Sequence, residues 1–218
     1  MQDTFAAQRK MMVDGQLRTF DVLDLAVLEA FLTVPREDFL PESLRSVAYA
    51  DREADLGTGR KLLAPMILAR MIQAADVQPG AQVLDVAGGS GYSAAIFAAL
   101  GAKVVALEET PELAGSARQL LGDSATVTTG YLEAGASAHA PYDLIFINGA
   151  VEEVPTALLD QLKDGGQLLC VLRQPAQVGR AAKACAFLRS GATLSHRELF
   201  DASAPNLAAF RRAPQFTF

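Results

Sequence analysis

The residues best placed to do chemistry lie in one short stretch, Val83-Leu84-Asp85-Val86-Ala87-Gly88-Gly89-Ser90-Gly91-Tyr92. An apolar run enters a glycine turn, and an Ala-rich helical pattern, Tyr92 to Leu100, leaves it. Glycines let the chain turn sharply and let a cofactor approach the main chain closely. Backbone N–H groups at the start of the following helix favour an anionic group. The next β-rich run, Lys103-Val104-Val105-Ala106-Leu107, ends in Glu108. An acid there can accept hydrogen bonds from both ribose hydroxyls of an adenosine cofactor. The glycine turn alone is a weak signal, because such turns occur in many structural connections. The turn paired with a second-strand acid is a nucleoside-cofactor signature. Asn148 ends a later apolar run, where open α/β sheets put ligands, although Asn-Gly is also a common turn pair.

Two cofactor classes remain open on these residues. Gly89-Ser90-Gly91-Tyr92-Ser93-Ala94 fits the G-x-G-x-x-A form of dinucleotide sites, which would make an NAD-dependent oxidoreductase. Asp85 counts against it: a carboxylate just before the turn repels a pyrophosphate and suits the ammonium of a methionine moiety. The long stretch before Gln82 also departs from dinucleotide domains that begin at the first strand. Asp85 has a plainer reading as a cap of the turn, and Tyr92 as a packing residue.

The rest of the chain must position that turn. It alternates strand and helix from about residue 79 to 172: strands over Gln82–Val86, Lys103–Leu107, Thr126–Thr128, Tyr142–Ile147 and Gln167–Leu172, with helices after the turn, from Pro111 to Leu121 and from Pro155 to Leu162. Asp164-Gly165-Gly166 closes the last of these helices. This βαβαβ rhythm predicts an α/β fold, a Rossmann-like doubly wound and mostly parallel sheet. Residues 1–78 read as a helical extension, with apolar Leu23, Leu25, Val27, Leu28, Phe31 and Leu32 at helical spacing, a glycine-bearing loop at Asp55–Arg60, and a helix opened by Pro65. Residues 173–218 read as strands finishing the sheet antiparallel: a hairpin turning at Ser190-Gly191 and an edge strand at Gln215–Phe218. The whole chain is expected to be one domain.

Composition narrows the classes further. The chain has 218 residues, a formal net charge of −6 and a pI near 5.0. That balance argues against a general phosphate-backbone binder, so no nucleic acid partner is expected. No signal-peptide pattern starts the chain and no apolar run approaches the ~18–20 residues of a membrane span, so a cytoplasmic location is expected. His139 and His196 lie far apart, and Cys170 and Cys185 belong to no CxxC, so no metal site is expected. Cys170 reads as a buried small hydrophobe, and a Cys170–Cys185 disulfide is disfavoured in a reducing compartment.

Several ordered matches resemble the protein-L-isoaspartate O-methyltransferases over roughly residues 20 to 172. Val34-Pro35-Arg36-Glu37-Asp38-Phe39 is similar to that family's VPRE-x-F segment. Gly57-Thr58-Gly59-Arg60-Lys61-Leu62-Leu63-Ala64-Pro65 lies where the family has G-x-G-x-T-I-S-x-P. Asp85 to Tyr92 resembles its E/D-x-G-T-G-S-G-Y turn, and Ala140-Pro141-Tyr142-Asp143 through Val154-Pro155-Thr156-Ala157-Leu158 its A-P-[FY]-D…[IV]-P-x-x-L segment. The resemblance implies S-adenosylmethionine as cofactor. It puts Glu108, with Glu109 beside it, at the ribose, and Asp85 with Ala87, Gly88, Gly89, Gly91 and Tyr92 at the methionine portion. It puts Tyr131-Leu132 beside the adenine and Asn148 at the same crevice. It implies an isoaspartyl protein or peptide as methyl acceptor, with the Lys61–Pro65 loop and the C-terminal segment closing over it.

Four positions depart from the family pattern. Leu63 replaces the loop serine and offers no side-chain hydrogen bond. Lys61 replaces a threonine, Ala87 replaces the first glycine of the turn, and Tyr131-Leu132 replaces an Asp-Gly pair. The Ala87 change is mild if the backbone angle there is ordinary. An isoaspartyl carboxylate is ionised at neutral pH and needs no general base. It needs donors that hold it in line, for which the candidates are the N–H groups of Lys61–Ala64, the Lys61 ammonium and Arg60. An ordinary solvated pair is the plain reading of Arg60-Lys61, as it is of Arg211-Arg212. Three alternatives remain: a different small acceptor held by an apolar Leu62-Leu63 loop, a non-catalytic cofactor-binding member, and the oxidoreductase. Phe210, Phe216 and Phe218 could close the core or serve a homodimer, so monomer and dimer both stand.

Overall fold

The structure, a computed structural model, describes residues 2–173 and 181–212. Helix α1 (Gln2–Met12) runs through a π turn and a 3-10 turn into Asp21, whose φ of 64° reverses the chain. Asp24 then starts α2 (Leu25–Thr33), its carboxylate accepting the N–H groups of Ala26 and Val27. The helix buries Val27, Leu28, Ala30 and Phe31. Leu23 and Leu25, expected on that stripe, are exposed, because the helix begins only at Leu25. Two-residue strands β1 (Ala54–Asp55) and β2 (Lys61–Leu62) form a small hairpin. Pro65 opens α3 (Pro65–Ala75), as expected of a residue lacking an N–H at a position where none is needed.

The main sheet uses β3 (Gln82–Val86), β4 (Lys103–Glu108), β5 (Ala125–Thr129), β6 (Tyr142–Val151), β7 (Leu162–Leu172), β8 (Lys183–Ser190) and β9 (Thr193–Asp201). Helices α4 (Tyr92–Ala99), α5 (Pro111–Leu121) and α6 (Thr156–Leu159) connect the parallel part. The strand order is β5-β4-β3-β6-β7-β8-β9, parallel as far as β7 and antiparallel through β8 and β9. The α/β class and the hairpin finish therefore agree with the sequence. Successive residues face opposite sides: Val83, Val104, Leu144 and Phe146 pack with α2, α3 and α4, while Leu84, Val86, Leu107 and Ile145 pack with α6, Leu207 and Phe210. The order reverses between β3 and β6. A crevice at such a switch point, outside the carboxyl ends of the strands, is where open α/β sheets bind ligands.

Several boundaries differ from expectation. β6 continues through Asn148-Gly149 to Val151 instead of turning there. Gly149 is needed in that strand because a Cβ would stand 2.6 Å from Leu207 and 2.8 Å from the Pro205 carbonyl. α6 is a single turn, and Asp164-Gly165-Gly166 lies inside β7 instead of closing a helix. Gly166 runs so close to Tyr142 that its Cβ would sit 2.7 Å from that carbonyl, at the register shift between Tyr142 and Leu144. Phe210 is buried in the core. Arg212 pairs with Glu153 at 3.4 Å. Cys170 and Cys185 are free thiols directly opposite each other on β7 and β8, both buried. The expected strand at Gln215–Phe218 lies outside the described residues. Among the described residues no helix is long and apolar enough to cross a membrane, and no three His, Cys, Asp or Glu side chains converge as a metal site would require.

Candidate active site

The site is built on the turn after β3. The chain leaves Val86 through Ala87 at φ +61°, Gly89 at +68° and Gly91 at +95°. Ala87 donates its N–H to Leu107 O on β4 at 3.0 Å, which fixes the turn to the neighbouring strand. The Ala87 angle is not ordinary, so the condition for a mild change is not met and the departure from glycine is a strained one. Gly88 is required on other grounds: a Cβ there would meet Asp85 Oδ2 at 2.4 Å and Ser93 Oγ at 3.0 Å.

Asp85 is fully buried beneath the turn. Its carboxylate accepts from Ser93 Oγ at 2.8 Å and from Asn148 Nδ2 at 2.8 Å, and Asn148 also donates to Val86 O at 3.1 Å. Burial pushes the Asp85 carboxyl up to about 6, opposed by those donors and by the Ala94 N–H. Asp85 and Asn148 thus meet across β3 and β6 at the switch point.

Glu108, at the end of β4, accepts the N–H of Gly89 on one oxygen. On the other it faces Arg60 Nη2 at 3.4 Å, and the same nitrogen lies 2.8 Å from Glu109 Oε1. Burial pushes the Glu108 carboxyl up to about 7; Arg60 and the Gly89 N–H oppose this, while Asp85 and Glu109 add to it. Arg60 is buried, with Nε unpartnered, so the reading of Arg60-Lys61 as a solvated pair is corrected for Arg60. Its direct contacts are with the acids at the end of β4. Lys61 is half-exposed, with its ammonium 3.9 Å from Glu53.

Leu62 and Leu63 are core side chains, which corrects the idea of an apolar acceptor-binding loop. Leu63 contributes its carbonyl, which accepts from Arg36 Nη2 at 2.8 Å. Arg36 is fully buried, donates also to Ala48 O at 3.1 Å, and lies over the Tyr92 ring, its Cζ 4.8 Å from the centroid. Tyr92 packs between Phe31 and Phe39 on the side of the N-terminal helices, which favours its plain packing reading. Ser90, just before it, donates to Phe39 O at 2.7 Å. Beyond β5, Gly130 donates its N–H to Glu108 O at 2.9 Å, which brings Tyr131 beside the site with its ring exposed. Leu132 turns into the core.

The structure therefore gathers Asp85, Ala87, Gly88, Gly89, Glu108, Asn148 and Arg60 at the carboxyl ends of β3, β4 and β6. Sequence reasoning missed Ser93 and Arg36. Ser93 could have been found one turn into the helix behind a buried acid; Arg36 stood in the matched Val34–Phe39 segment, but nothing in that match showed that it is fully buried against Ala48 O and Leu63 O.

The family model described as protein-L-isoaspartate(D-aspartate) O-methyltransferase matches residues 7–186. The chain belongs to that family. A protein-L-isoaspartate O-methyltransferase from Koribacter versatilis is 39% identical over 175 residues, 78% of this chain and 79% of its own. One from Gloeobacter violaceus is 41% identical over 162 residues, 72% of this chain and 79% of its own. A solved structure of a protein-L-isoaspartate O-methyltransferase superposes with a TM-score of 0.80 at 25% identity, covering 92% of this chain and 66% of that one. The family match extends well before β3, so it takes in most of the helical extension and the β1–β2 segment, not only the glycine turn.

Proposed function

We propose that this chain is an S-adenosylmethionine-dependent protein-L-isoaspartate O-methyltransferase acting on damaged aspartyl residues of cytoplasmic proteins or peptides. The observation that carries the reading, beside family membership, is Glu108 held at the end of β4 against the Gly89 N–H. A strand-ending acid beside a glycine backbone on the adjacent parallel strand supports adenosine binding there. The residues fit the cofactor. Gly88, Gly89 and Gly91 carry no side chain and Ser90 turns its own to Phe39 O, Glu108 suits the ribose hydroxyls, Asp85 and Asn148 set the turn from below, and the exposed Tyr131 ring offers a face for adenine.

Bound S-adenosylmethionine supplies a methyl group already activated by its sulfonium. The remaining work is positioning and exclusion of water. The acceptor carboxylate is ionised at neutral pH, so the chain needs no base to prepare it. Lys61, half-exposed on β2, is placed to hold that carboxylate with its ammonium, and the N–H groups of Lys61–Ala64 can add donors. Leu63 does not stand in for a catalytic serine; Arg36 holds its carbonyl and so sets the path of this loop.

The test is calorimetric titration with S-adenosylhomocysteine and, on the same sample, methylation of an isoaspartyl peptide. Binding with methylation supports the reading. Binding without methylation removes the acceptor and leaves a cofactor-binding protein. Binding of NAD without S-adenosylhomocysteine would replace the reading by an oxidoreductase.

A further inference from the structure

Arg60 has two unusual neighbours. Its side chain is one of the groups a Cβ on Gly89 would strike, at 3.0 Å, with Leu56 at 2.5 Å, so the β1–β2 hairpin lies directly on the glycine backbone. From there its guanidinium spans Glu108 and Glu109. Ribose hydroxyls and guanidinium N–H groups are both donors, and both would call on the same Glu108 carboxylate, whose other oxygen is already engaged by Gly89. The carboxylate has lone pairs to spare, but Glu108 is 1% exposed, so a ribose cannot reach it while the Leu56 and Arg60 side chains lie over Gly89.

We propose that Arg60 is a latch on the nucleoside site: the ribose of the cofactor exchanges with the Arg60 guanidinium on Glu108, and the β1–β2 hairpin shifts as it does. Glu109 makes the exchange feasible. It is half-exposed, so Arg60 keeps one carboxylate partner while leaving the other. Within itself the hairpin is closed by its two-residue strands, the Leu56 N–H to Arg60 O bond at 3.0 Å and an Asp55 carboxylate accepting from Gly57 N. Lys61 follows Arg60 directly, so unlatching reshapes the acceptor side of the site. Cofactor then binds first and acceptor second. This rests on the function proposed above, whose failure is read separately.

The experiment compares S-adenosylhomocysteine affinity by calorimetry at pH 8.5 for the natural chain, Arg60→Ala and Arg60→Met. Methionine keeps the aliphatic packing on Gly89 and removes the guanidinium. A latch lowers apparent affinity by the fraction of chains unlatched, so both variants should bind on the order of tenfold tighter. Unchanged or weaker binding by Arg60→Met overturns the proposal, and so does absence of binding by all three proteins. Hydrogen exchange on the natural chain gives an independent reading that needs no variant. Saturating S-adenosylhomocysteine should speed exchange at Leu56; slower or unchanged exchange there counts against the latch. Tighter binding by the variants with no isoaspartyl methylation keeps the latch and removes the acceptor assignment. Methylation by the natural chain with no affinity gain in the variants does the reverse.

Discussion

The turn after β3 and the hairpin Ala54–Leu62 face each other across the candidate site, and they are held in opposite ways. The turn is fixed from beneath by a buried network: Asp85 takes hydrogen bonds from Ser93 and Asn148, and Ala87 is tied to β4. The hairpin has two-residue strands and two positive-φ glycines, and its main tie to the turn's side of the site is one arginine. Buried, fully satisfied polar networks rigidify a structure. The hairpin buries Leu62 and Arg60, but its tip, Gly57 to Gly59, is exposed, and a segment with few buried contacts opens at low cost. The turn is therefore the fixed half of the site and the hairpin the adjustable half.

The largest effect should come from breaking the fixed half. Gly88→Ala forces a methyl into Asp85 and Ser93, neither of which can yield without losing a buried hydrogen bond. It should lower stability by about 3 kcal/mol, read by urea denaturation, and abolish S-adenosylhomocysteine binding. Asp85→Ala leaves Ser93 Oγ and one Asn148 donor without an acceptor and should cost about 2 kcal/mol in the same assay. A variant as stable as the natural chain in either case would mean the turn is not held from beneath.

Glu108 and Asp85 have folded-state values raised above their ordinary ones. The native state therefore holds protons that the unfolded chain releases. Stability from these two groups is fully present below about pH 4 and is lost as pH rises toward about 7. Glu108→Gln should flatten the upper part of that loss, between about pH 4.5 and 7. Cofactor binding runs the other way, because the ribose needs the carboxylate, so S-adenosylhomocysteine affinity should rise as pH passes through about 7. An affinity independent of pH from 6 to 8 would argue that Glu108 does not carry the ribose.

Smaller effects follow. Ala87→Gly relieves a left-handed backbone angle and should stabilise the chain by about 1 kcal/mol, measured as a shift in the denaturation midpoint. Lys61→Ala touches only a long, half-exposed ion pair and should change stability by less than about 0.5 kcal/mol. Its effect belongs in the kinetics, as a raised KM for an isoaspartyl peptide. An unchanged KM would take Lys61 out of acceptor binding.

What could be read in advance follows the same division. β3, the glycine turn, Glu108 and the βα rhythm were legible because local patterns encode them: apolar runs, glycines and a strand-ending acid. The contact of Asn148 with Asp85 was not, since it depends on β6 lying next to β3 and not next to β5. The burial of Arg60 was hidden as well. A basic pair on a glycine loop looks solvated until the loop is seen folded onto two carboxylates. The one-turn length of α6 escaped because Asp164-Gly165-Gly166 reads as a helix stop, whereas Gly166 is there to let β7 pass close to Tyr142.

Asn148-Gly149 has a bearing on chemical ageing. An asparagine followed by glycine is the step at which backbone nitrogen most readily attacks the side-chain carbonyl, giving a succinimide and then isoaspartate. A chain proposed to methylate that lesion carries such a step in its own ligand crevice. It cannot discard the glycine, because Leu207 and Pro205 leave no room for a Cβ. It cannot discard the amide either, because Asp85 and Val86 O both take hydrogen bonds from Asn148 Nδ2. Those same bonds restrict the side-chain rotation that attack by the Gly149 nitrogen requires. The network that sets the turn thereby shields the protein from the damage it is proposed to act on.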